Sequence, residues 1–202
     1  PVSVTQNVDS NCEAYADNYG KDLISLSDNC TDSSDIVITQ NIPFGTLLAG
    51  VGGSENITVI ATDESGNSSQ CSFTLNIIDM AAPSVTCIPD TTLAVNGSCD
   101  GILPDYTTLI GATDNCTAPG NLLITQSPIP GTTINGSGII TLVTVTVEDE
   151  SGNQNTCDFN VTTTDTTVAT IICPSDTTMY ANGSCEGLLN DHTAEAIVSD
   201  NC

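Results

Sequence analysis

The side chains with the most distinctive chemistry in this sequence are its ten cysteines. None of them forms a C-x-x-C pair, and His192 is the single histidine, so a structural zinc site lacks its usual ligands. Disulfide formation is the better interpretation, and it predicts an extracellular or cell-surface location. The cysteines are Cys12, Cys30, Cys71, Cys87, Cys99, Cys116, Cys157, Cys173, Cys185 and Cys202.

The second chemical feature is an excess of carboxylates. The chain has 25 Asp and Glu residues against one basic residue, Lys21, which gives a formal net charge of −24. Such a surface repels nucleic acid and anionic lipid, so neither is expected as a partner. Solvent cations must neutralise the carboxylates, and Ca²⁺ is therefore a candidate cofactor. The alternative is a soluble, self-repelling surface without a specific site.

The sequence offers little material for catalysis. A nucleophilic triad or a general acid–base pair needs positioned partners. One histidine, among cysteines that are expected to be paired, does not supply them. We therefore predict a non-enzymatic protein.

β-Strands must position these residues, because two stretches of the chain have the pattern of β-hairpins. Val143, Val145 and Val147 alternate with threonines, which is the period of two of a half-buried strand, and DESGN at 149–153 supplies the turn. The segment 57–75 is an earlier copy of this hairpin. A hairpin with one covered face needs further strands to close a sandwich over it.

The hairpin is part of a longer repeat. Cys157 follows Cys71 by 86 residues, and the same distance separates Cys116 from Cys30 and Cys202 from Cys116. The motifs SDNC or TDNC, NGSC and DESGN recur with the same spacing. Matched cysteines inside matched motifs indicate a tandem array.

The array predicts three modules, here called the first, second and third repeats. They are residues 1–79, with a truncated first strand, the complete module 80–165, and 166–202, the N-terminal part of a third. About seven short strands in the second repeat predict an immunoglobulin-like β-sandwich, and hence an all-β, disulfide-stapled chain. The sequence contains no signal peptide or membrane-spanning run, so we expect a mature or internal fragment without membrane insertion.

The order of the motifs resembles that of the HYR (hyalin repeat) module, an immunoglobulin-like extracellular domain similar in fold to fibronectin-type domains. The resemblance covers essentially the whole chain, although the second repeat has Cys-Ile-Pro at 87–89 and the hairpin has V-E-D in place of T-x-T-D. It implies adhesion, as in hyalin-like matrix proteins and the very large surface adhesins of gliding bacteria. The motifs C-P-x-D, N-G-x-C, A-T-D-N-C, P-x-G-T, T-D-x-S-G-N and C-x-F are carried by residues 173–176, 96–99, 112–116, 130–132, 149–153 and 157–159.

Two functions are compatible with this family resemblance. The first is a structural spacer or stalk of a repetitive extracellular adhesin or filament, whose partners are the neighbouring modules of the same chain. The second is an adhesive module that recognises a glycan or a protein surface through its loops. The loops are small and polar and the four tyrosines are scattered rather than clustered, which favours the spacer.

The strand pattern and the resemblance together suggest a disulfide pairing. Cys87 shares the phase of Val85, and Cys157 that of Phe159, so a bond between the first and last strands can close a loop of about 70 residues, a stabilisation on the order of 4 kcal/mol. The resemblance implies the same pair. The remaining predicted pairs are Cys99–Cys116, Cys12–Cys30 and Cys185–Cys202, which leave Cys71 and Cys173 to partners outside the fragment. A rival scheme pairs Cys71 with Cys87 and Cys157 with Cys173.

The sandwich topology also predicts a cation site. The loop after the second strand and the turn of the last hairpin should lie at the end from which the chain enters. Carboxylate and carbonyl oxygens gathered there are the ligands that Ca²⁺ prefers. The purely structural alternative is that Asp and Asn bond their own backbone in turns. The predicted site residues are Asp79, Asp114, Asp149, Glu150 and Asn153, with Asp28, Asn29, Asp63, Glu64 and Asn67 as the equivalent set in the first repeat.

Overall fold

The computed structural model describes residues 3–22 and 25–202, and the regular secondary structure in them is almost entirely β-strand. Pro1 and Val2, where the first repeat is predicted to begin, lie outside the described residues. Helical structure in the described ranges is limited to one turn at Tyr19–Asp22 and 3₁₀ turns at Thr107–Leu109 and Thr193–Glu195, none of which has the length of a membrane span. The strands are β1 Ser3–Asn7, β2 Val37–Gln40, β3 Ser54–Thr62, β4 Ser68–Ile78, β5 Ser84–Thr86, β6 Thr91–Ala94, β7 Asp100–Ile102, β8 Gly111–Thr113, β9 Leu123–Ser127, β10 Thr133–Asn135, β11 Ile140–Glu148, β12 Gln154–Thr164, β13 Thr170–Ile172 and β14 Ile197–Ser199.

The same four-stranded sheet occurs twice. Its strand order is β1-β4-β3-β2 in the first repeat and β6-β12-β11-β9 in the second. The first strand of each sheet runs parallel to the last, since β1 pairs with β4 and β6 with β12 in parallel register. Three antiparallel pairs, β5–β8, β7–β10 and β13–β14, complete the described sheets. The prediction of an all-β chain of tandem immunoglobulin-like modules is confirmed.

The predicted hairpins are present as β3–β4 and β11–β12. Val143, Val145 and Val147 are fully buried, as their alternation with threonines predicts. In the hairpin turn Gly152 has φ 87°, a left-handed conformation that glycine adopts without steric cost. The Asp149 N–H donates to the Asn153 carbonyl at 3.0 Å and closes the turn. The second repeat contains eight strands rather than about seven, because a 3₁₀ turn interrupts the segment 101–110.

The chain separates into two compact units whose limits differ from those of the repeats. The first unit has a core that includes Ile57, Val59, Leu75 and Ile77, each at most 2% exposed. In sequence, the first unit comprises Pro1–Thr86, Gly111–Ile124 and Thr146–Thr156, and the second comprises Cys87–Ile110, Thr125–Val145 and Cys157–Cys202. The loop and hairpin turn of the second repeat thus belong to the first unit.

A glutamine at the same position of two repeats holds an irregular loop against its strand. Gln126 is 7% exposed, and its Oε1 accepts a hydrogen bond from the Tyr106 N–H at 2.8 Å. Its Nε2 donates to the carbonyls of Pro104 and Pro128 at 3.0 and 3.1 Å. In the first repeat Gln40 accepts from the Tyr19 N–H and donates to the carbonyls of Asp17 and Ile42.

The loop that each glutamine holds places a tyrosine side chain in the core. Tyr106 packs edge-to-face on Phe159 with ring centroids 5.1 Å apart, and Tyr19 packs on Phe73 in the same way at 5.5 Å. Such pairs contribute about 0.5–1.5 kcal/mol beyond their buried area. These contacts account for much of the aromatic content of a chain that has no tryptophan.

The hydrogen bonds of Gln126, here called the glutamine clamp, lead to a prediction about stability. Gln126→Ala leaves the buried Tyr106 N–H and the Pro104 carbonyl unpaired, so we expect it to lower the free energy of unfolding by roughly 1–3 kcal/mol. Chemical denaturation followed by circular dichroism measures this change. The control is Gln70→Ala, which alters an exposed glutamine of β4 and should shift the free energy by less than about 0.5 kcal/mol. Equal effects of the two substitutions would contradict a role for the clamp.

Candidate functional site

Three disulfides are present within the described residues, and two of them join one repeat to the next. Cys87–Cys157 lies inside the second repeat and is the pair that strand phase and the family resemblance indicate. Cys12–Cys116 joins the first repeat to the second, and Cys99–Cys202 joins the second to the third. The predicted pairs Cys12–Cys30, Cys99–Cys116 and Cys185–Cys202 are therefore wrong, and the rival pairs Cys71–Cys87 and Cys157–Cys173 do not form either.

A turn with an unusual backbone carries Cys12 and Cys99, and Cys185 lies in the same kind of turn. Cys12, Cys99 and Cys185 have φ angles of 61°, 63° and 62°, in the left-handed region that residues other than glycine rarely adopt. Each follows an Asp or Asn by three positions. Asn96 Oδ1 accepts hydrogen bonds from the N–H groups of Ser98 and Asp100 at 2.8 and 3.0 Å, and Asp9 and Asn182 hold the same turn in the other repeats. From this backbone Cys99 bonds to Cys202 rather than to Cys116, although Cys116 is much closer in sequence.

A hydrogen bond accompanies each disulfide between repeats. Asn115 Nδ2 donates to the Asp9 carbonyl at 3.1 Å, and Asn201 Nδ2 donates to the Asn96 carbonyl at 3.1 Å. Since the two donors are one repeat apart in sequence, as are the two acceptors, the same junction is built twice. This junction was not predicted from the sequence, although the asparagine before the cysteine in every D-N-C motif is a signal for it.

The other four cysteines are exposed and unpaired in the described part of the chain. Each occupies the position of a bonded cysteine in another repeat. Counted in steps of 86 residues, the positions that correspond to the partners of Cys30, Cys173 and Cys185 lie outside residues 1–202, and the position for Cys71 coincides with Pro1, which is not a cysteine. These cysteines are Cys30, Cys71, Cys173 and Cys185.

Three carboxylates of the predicted cation site meet in the first compact unit. Asp79, Asp114 and Asp149 each offer an oxygen, and these oxygens all lie within 4.8 Å of one another. Asp79 follows β4, Asp114 follows β8, and Asp149 begins the hairpin turn after β11. Asp79 and Asp149 are each only 5% exposed, and Asp114 is half-buried. We call these three residues the acidic cluster.

Each carboxylate of the acidic cluster uses one oxygen to hold its own turn. This is the structural role expected of Asp in turns, and it explains why the backbone follows this path. Asp79 Oδ1 accepts from the Ala81 N–H at 3.0 Å, Asp114 Oδ2 from the N–H groups of Cys116 and Thr117 at 2.8 Å, and Asp149 Oδ1 from the N–H groups of Ser151 and Asn153 at 2.8 Å.

The turns leave two oxygens of the acidic cluster unexplained. Asp79 Oδ2 and Asp114 Oδ1 are buried and accept no hydrogen bond from any described residue. Buried polar atoms in native proteins are nearly always paired with protein, water or an ion. The cluster therefore has acceptor capacity that its turns do not use.

The two remaining predicted site residues differ from each other. Asn153 lies beside the acidic cluster, where its Nδ2 donates to Asp149 Oδ2 at 2.8 Å and to the Asp79 carbonyl at 3.1 Å. Glu150 is exposed, and its carboxylate accepts a hydrogen bond from Asn121 Nδ2 at 3.0 Å. The structure does not bring Glu150 into the cluster, whose members are Asp79, Asp114 and Asp149.

The first repeat contains only part of this arrangement. Asn67 donates its backbone N–H and its Nδ2 to Asp63 at 2.7 and 2.8 Å, as Asn153 does to Asp149. These hydrogen bonds from Asn67 hold the pKa of Asp63 below its ordinary value, while the negative charge of Asp28 acts in the opposite direction. Asp28 and Asp63 correspond to Asp114 and Asp149, but the position that corresponds to Asp79 falls before residue 1.

Comparison with known proteins adds a family assignment to this geometry. The model of the HYR domain matches residues 3–77 and 78–163. The chain is 32% identical over 132 residues to a "Serine-rich adhesin for platelets" of Staphylococcus aureus strain MRSA252, covering 62% of this chain and 10% of the relative. It is 29% identical over 167 residues to "Hyalin" of Strongylocentrotus purpuratus, covering 78% of this chain and 13% of the relative. The chain thus spans only a small part of the relatives that it matches.

The solved structures that match include extracellular cadherin domains. Human protocadherin-24 EC1-2 matches with a TM-score of 0.33 and 12% identity, covering 82% of this chain and 95% of that one. Protocadherin gamma B2 domains 1-5 match with a TM-score of 0.31 and 13% identity, covering 89% and 42%. Superpositions this poor support no functional inference.

The disulfide pattern predicts which cysteines react with an alkylating agent. Iodoacetamide added to the folded protein should modify Cys30, Cys71, Cys173 and Cys185, because these thiols are exposed and unpaired. Digestion and mass spectrometry should find the other six cysteines unmodified until a reductant is added. Modification of Cys12 or Cys116 before reduction would contradict the bond between them.

Proposed function

We propose, since this chain belongs to the HYR-domain family, that its repeats form a covalently locked stalk that spaces the binding region of an adhesin from its surface of attachment. The chain is an extracellular, adhesion-related repeat protein. Its immediate partners in this function are the neighbouring repeats.

The observation that carries the proposal is the disulfide from each repeat to the next. Cys12–Cys116 and Cys99–Cys202 enclose overlapping segments of the chain, because Cys99 precedes Cys116. A pulling force can therefore pass from repeat to repeat through sulfur. Within each repeat it follows only the short segment between Cys116 and Cys99, instead of the whole repeat.

This path determines how far the chain extends when its noncovalent structure is lost. From Pro1 the path follows the chain to Cys12, crosses to Cys116, returns along the chain to Cys99, and reaches Cys202 through the second bond. Its two segments, 1–12 and 99–116, together span at most about 100 Å, whereas the reduced chain of 202 residues spans about 700 Å. A stalk with these bonds keeps its reach even if a module unfolds.

The bond inside the second repeat supplies a parallel path. Cys87–Cys157 has a sequence separation of 70, so force that reaches Cys87 can pass directly to Cys157. If Cys99–Cys202 were broken, the shortest path would run through this bond instead.

The proposal assigns no reaction to the chain. The single histidine, His192, is paired at 3.0 Å with Glu195 on a partly exposed 3₁₀ turn. Neither residue belongs to the acidic cluster. The described residues instead provide two chemical features, namely disulfide bonds between repeats and a cluster of carboxylate oxygens.

Single-molecule force spectroscopy tests the load path. The wild-type chain held at its two ends should reach a maximum extension of about 100 Å under oxidising conditions and about 700 Å with dithiothreitol. Pairing inside the repeats would instead leave the segments 1–12, 30–87 and 157–185 in the path, and would give about 340 Å. An oxidised extension near this intermediate length would therefore refute the proposed load path.

A matched variant checks that the bonds between repeats set this limit. Cys99→Ser leaves Cys12–Cys116 and Cys87–Cys157 in place and lengthens the shortest path to the segments 1–12, 87–116 and 157–202, or about 300 Å. The variant should match the wild type once both are reduced. An oxidised extension as short as that of the wild type would show that Cys99 does not carry the load.

A binding assay distinguishes the spacer from an adhesive module. We expect the chain, immobilised on beads, to show no saturable binding to a glycan array or to platelets, because its loops are small and polar. The reduced and alkylated chain is the control for nonspecific adsorption. Saturable binding by the folded chain alone would favour the ligand-binding function.

A further inference from the structure

We propose that Asp79, Asp114 and Asp149 form a Ca²⁺ site. The inference does not depend on whether the array is a spacer, because it rests on atoms of the acidic cluster alone. All three residues belong to the first compact unit, where their oxygens lie within 4.8 Å of one another.

Two oxygens of the acidic cluster are not used by the turns. Asp79 is only 5% exposed, and its Oδ2 accepts no hydrogen bond from any described residue. Asp114 Oδ1, in the same cluster, is buried and unpaired in the same way. A turn requires only one oxygen of each carboxylate, so local structure does not account for the second oxygen. A bound cation would account for it.

Electrostatics point in the same direction. Three carboxylates close together in a poorly solvated place repel one another, and burial weakens the compensation by water. The sequence contains only one Lys and no Arg, and the one ion pair among the side chains that the structure describes, which do not include Lys21, is His192–Glu195, outside the cluster. An external cation is therefore the available source of positive charge.

The ligand atoms of the acidic cluster indicate which metal ion it would bind. Every group of the cluster is an oxygen, and Cys116, the nearest cysteine in sequence to Asp114, is already bonded to Cys12. Zn²⁺ prefers nitrogen and sulfur ligands, and Mg²⁺ requires a strict octahedron, whereas Ca²⁺ accepts six to eight oxygens in flexible geometry and completes its shell with carbonyls or water. Asp114 also lines a depression together with Asp9 and Asn115.

The site and the disulfide between repeats share one loop. Asp114 Oδ2 accepts the N–H of Cys116, and Asn115 donates to the Asp9 carbonyl of the preceding repeat. A cation that fixes Asp114 also fixes the backbone that holds Cys116. We therefore expect Ca²⁺ to slow the reduction of Cys12–Cys116 by dithiothreitol and to leave the rate for Cys99–Cys202 unchanged, since 166–202 contains no hairpin carboxylate.

Calorimetric titration of the full chain with CaCl₂, at constant ionic strength, tests the proposal. We expect one saturable site per chain, because the acidic cluster is found once among the described residues, and a melting temperature that rises with Ca²⁺ concentration. Asp79→Asn should weaken the affinity at least tenfold, because it removes a ligand charge. Asp63→Asn is the matched control, since it changes the first-repeat counterpart of Asp149 and should leave the affinity unchanged.

Folding of the variants is checked separately. Circular dichroism establishes whether Asp79→Asn is folded, and Asp114→Asn, at a half-buried position, provides a second test if it is not. Three outcomes would overturn the proposal: no heat and no rise in melting temperature at about 10 mM Ca²⁺, above the weakest range of extracellular sites; wild-type affinity in the folded variants; or equal loss of affinity in Asp63→Asn. A loss confined to the cluster variants would support it.

Discussion

The left-handed backbone of one cysteine in each repeat is the constraint on which the array depends. Asn96, Asp9 and Asn182 hold this conformation by accepting hydrogen bonds from the turn that follows them. From such a turn Cys12 and Cys99 bond to the next repeat. In each case an Asx turn holds a cysteine with a positive φ, and this cysteine bonds to the D-N-C loop of the next repeat. The covalent connection therefore repeats along the chain.

The same loop links this connection to the charge of the protein. A chain with 25 acidic residues and one Lys has almost no internal means of neutralising its carboxylates. Most of them face solvent, where water and salt screen their repulsion. Asp79 and Asp149 are buried beside Asp114, two residues before Cys116, so the place where repulsion is least screened lies next to a bond between repeats. The covalent and the electrostatic features of the array meet in the segment 114–117.

The sequence was sufficient for the fold because the fold depends on local patterns. Alternating valines specified β11, DESGN specified its turn, and the regular spacing of the cysteines specified the array. Topology also brought Asp79, Asp114 and Asp149 together as predicted. The prediction of the disulfide pairs was wrong, because the spacings 12–30 and 99–116 are compatible with short loops. These spacings do not reveal which way a cysteine side chain leaves its turn. Glu150 was wrongly placed in the site for a similar reason, because a position in the turn does not reveal whether a side chain joins the buried cluster or is exposed, as that of Glu150 is.

The central claim is that disulfides join successive repeats, and the two methionines of the chain allow a direct test. Cyanogen bromide cleaves after Met80 and Met179, which are 65% and 49% exposed, and divides the chain into residues 1–80, 81–179 and 180–202. The acidic reaction medium also suppresses thiol–disulfide exchange. Mass spectrometry of the non-reduced products should find all three pieces as one species, which separates into three on reduction. Release of 180–202 or of 1–80 without a reductant would contradict the covalent connection between repeats.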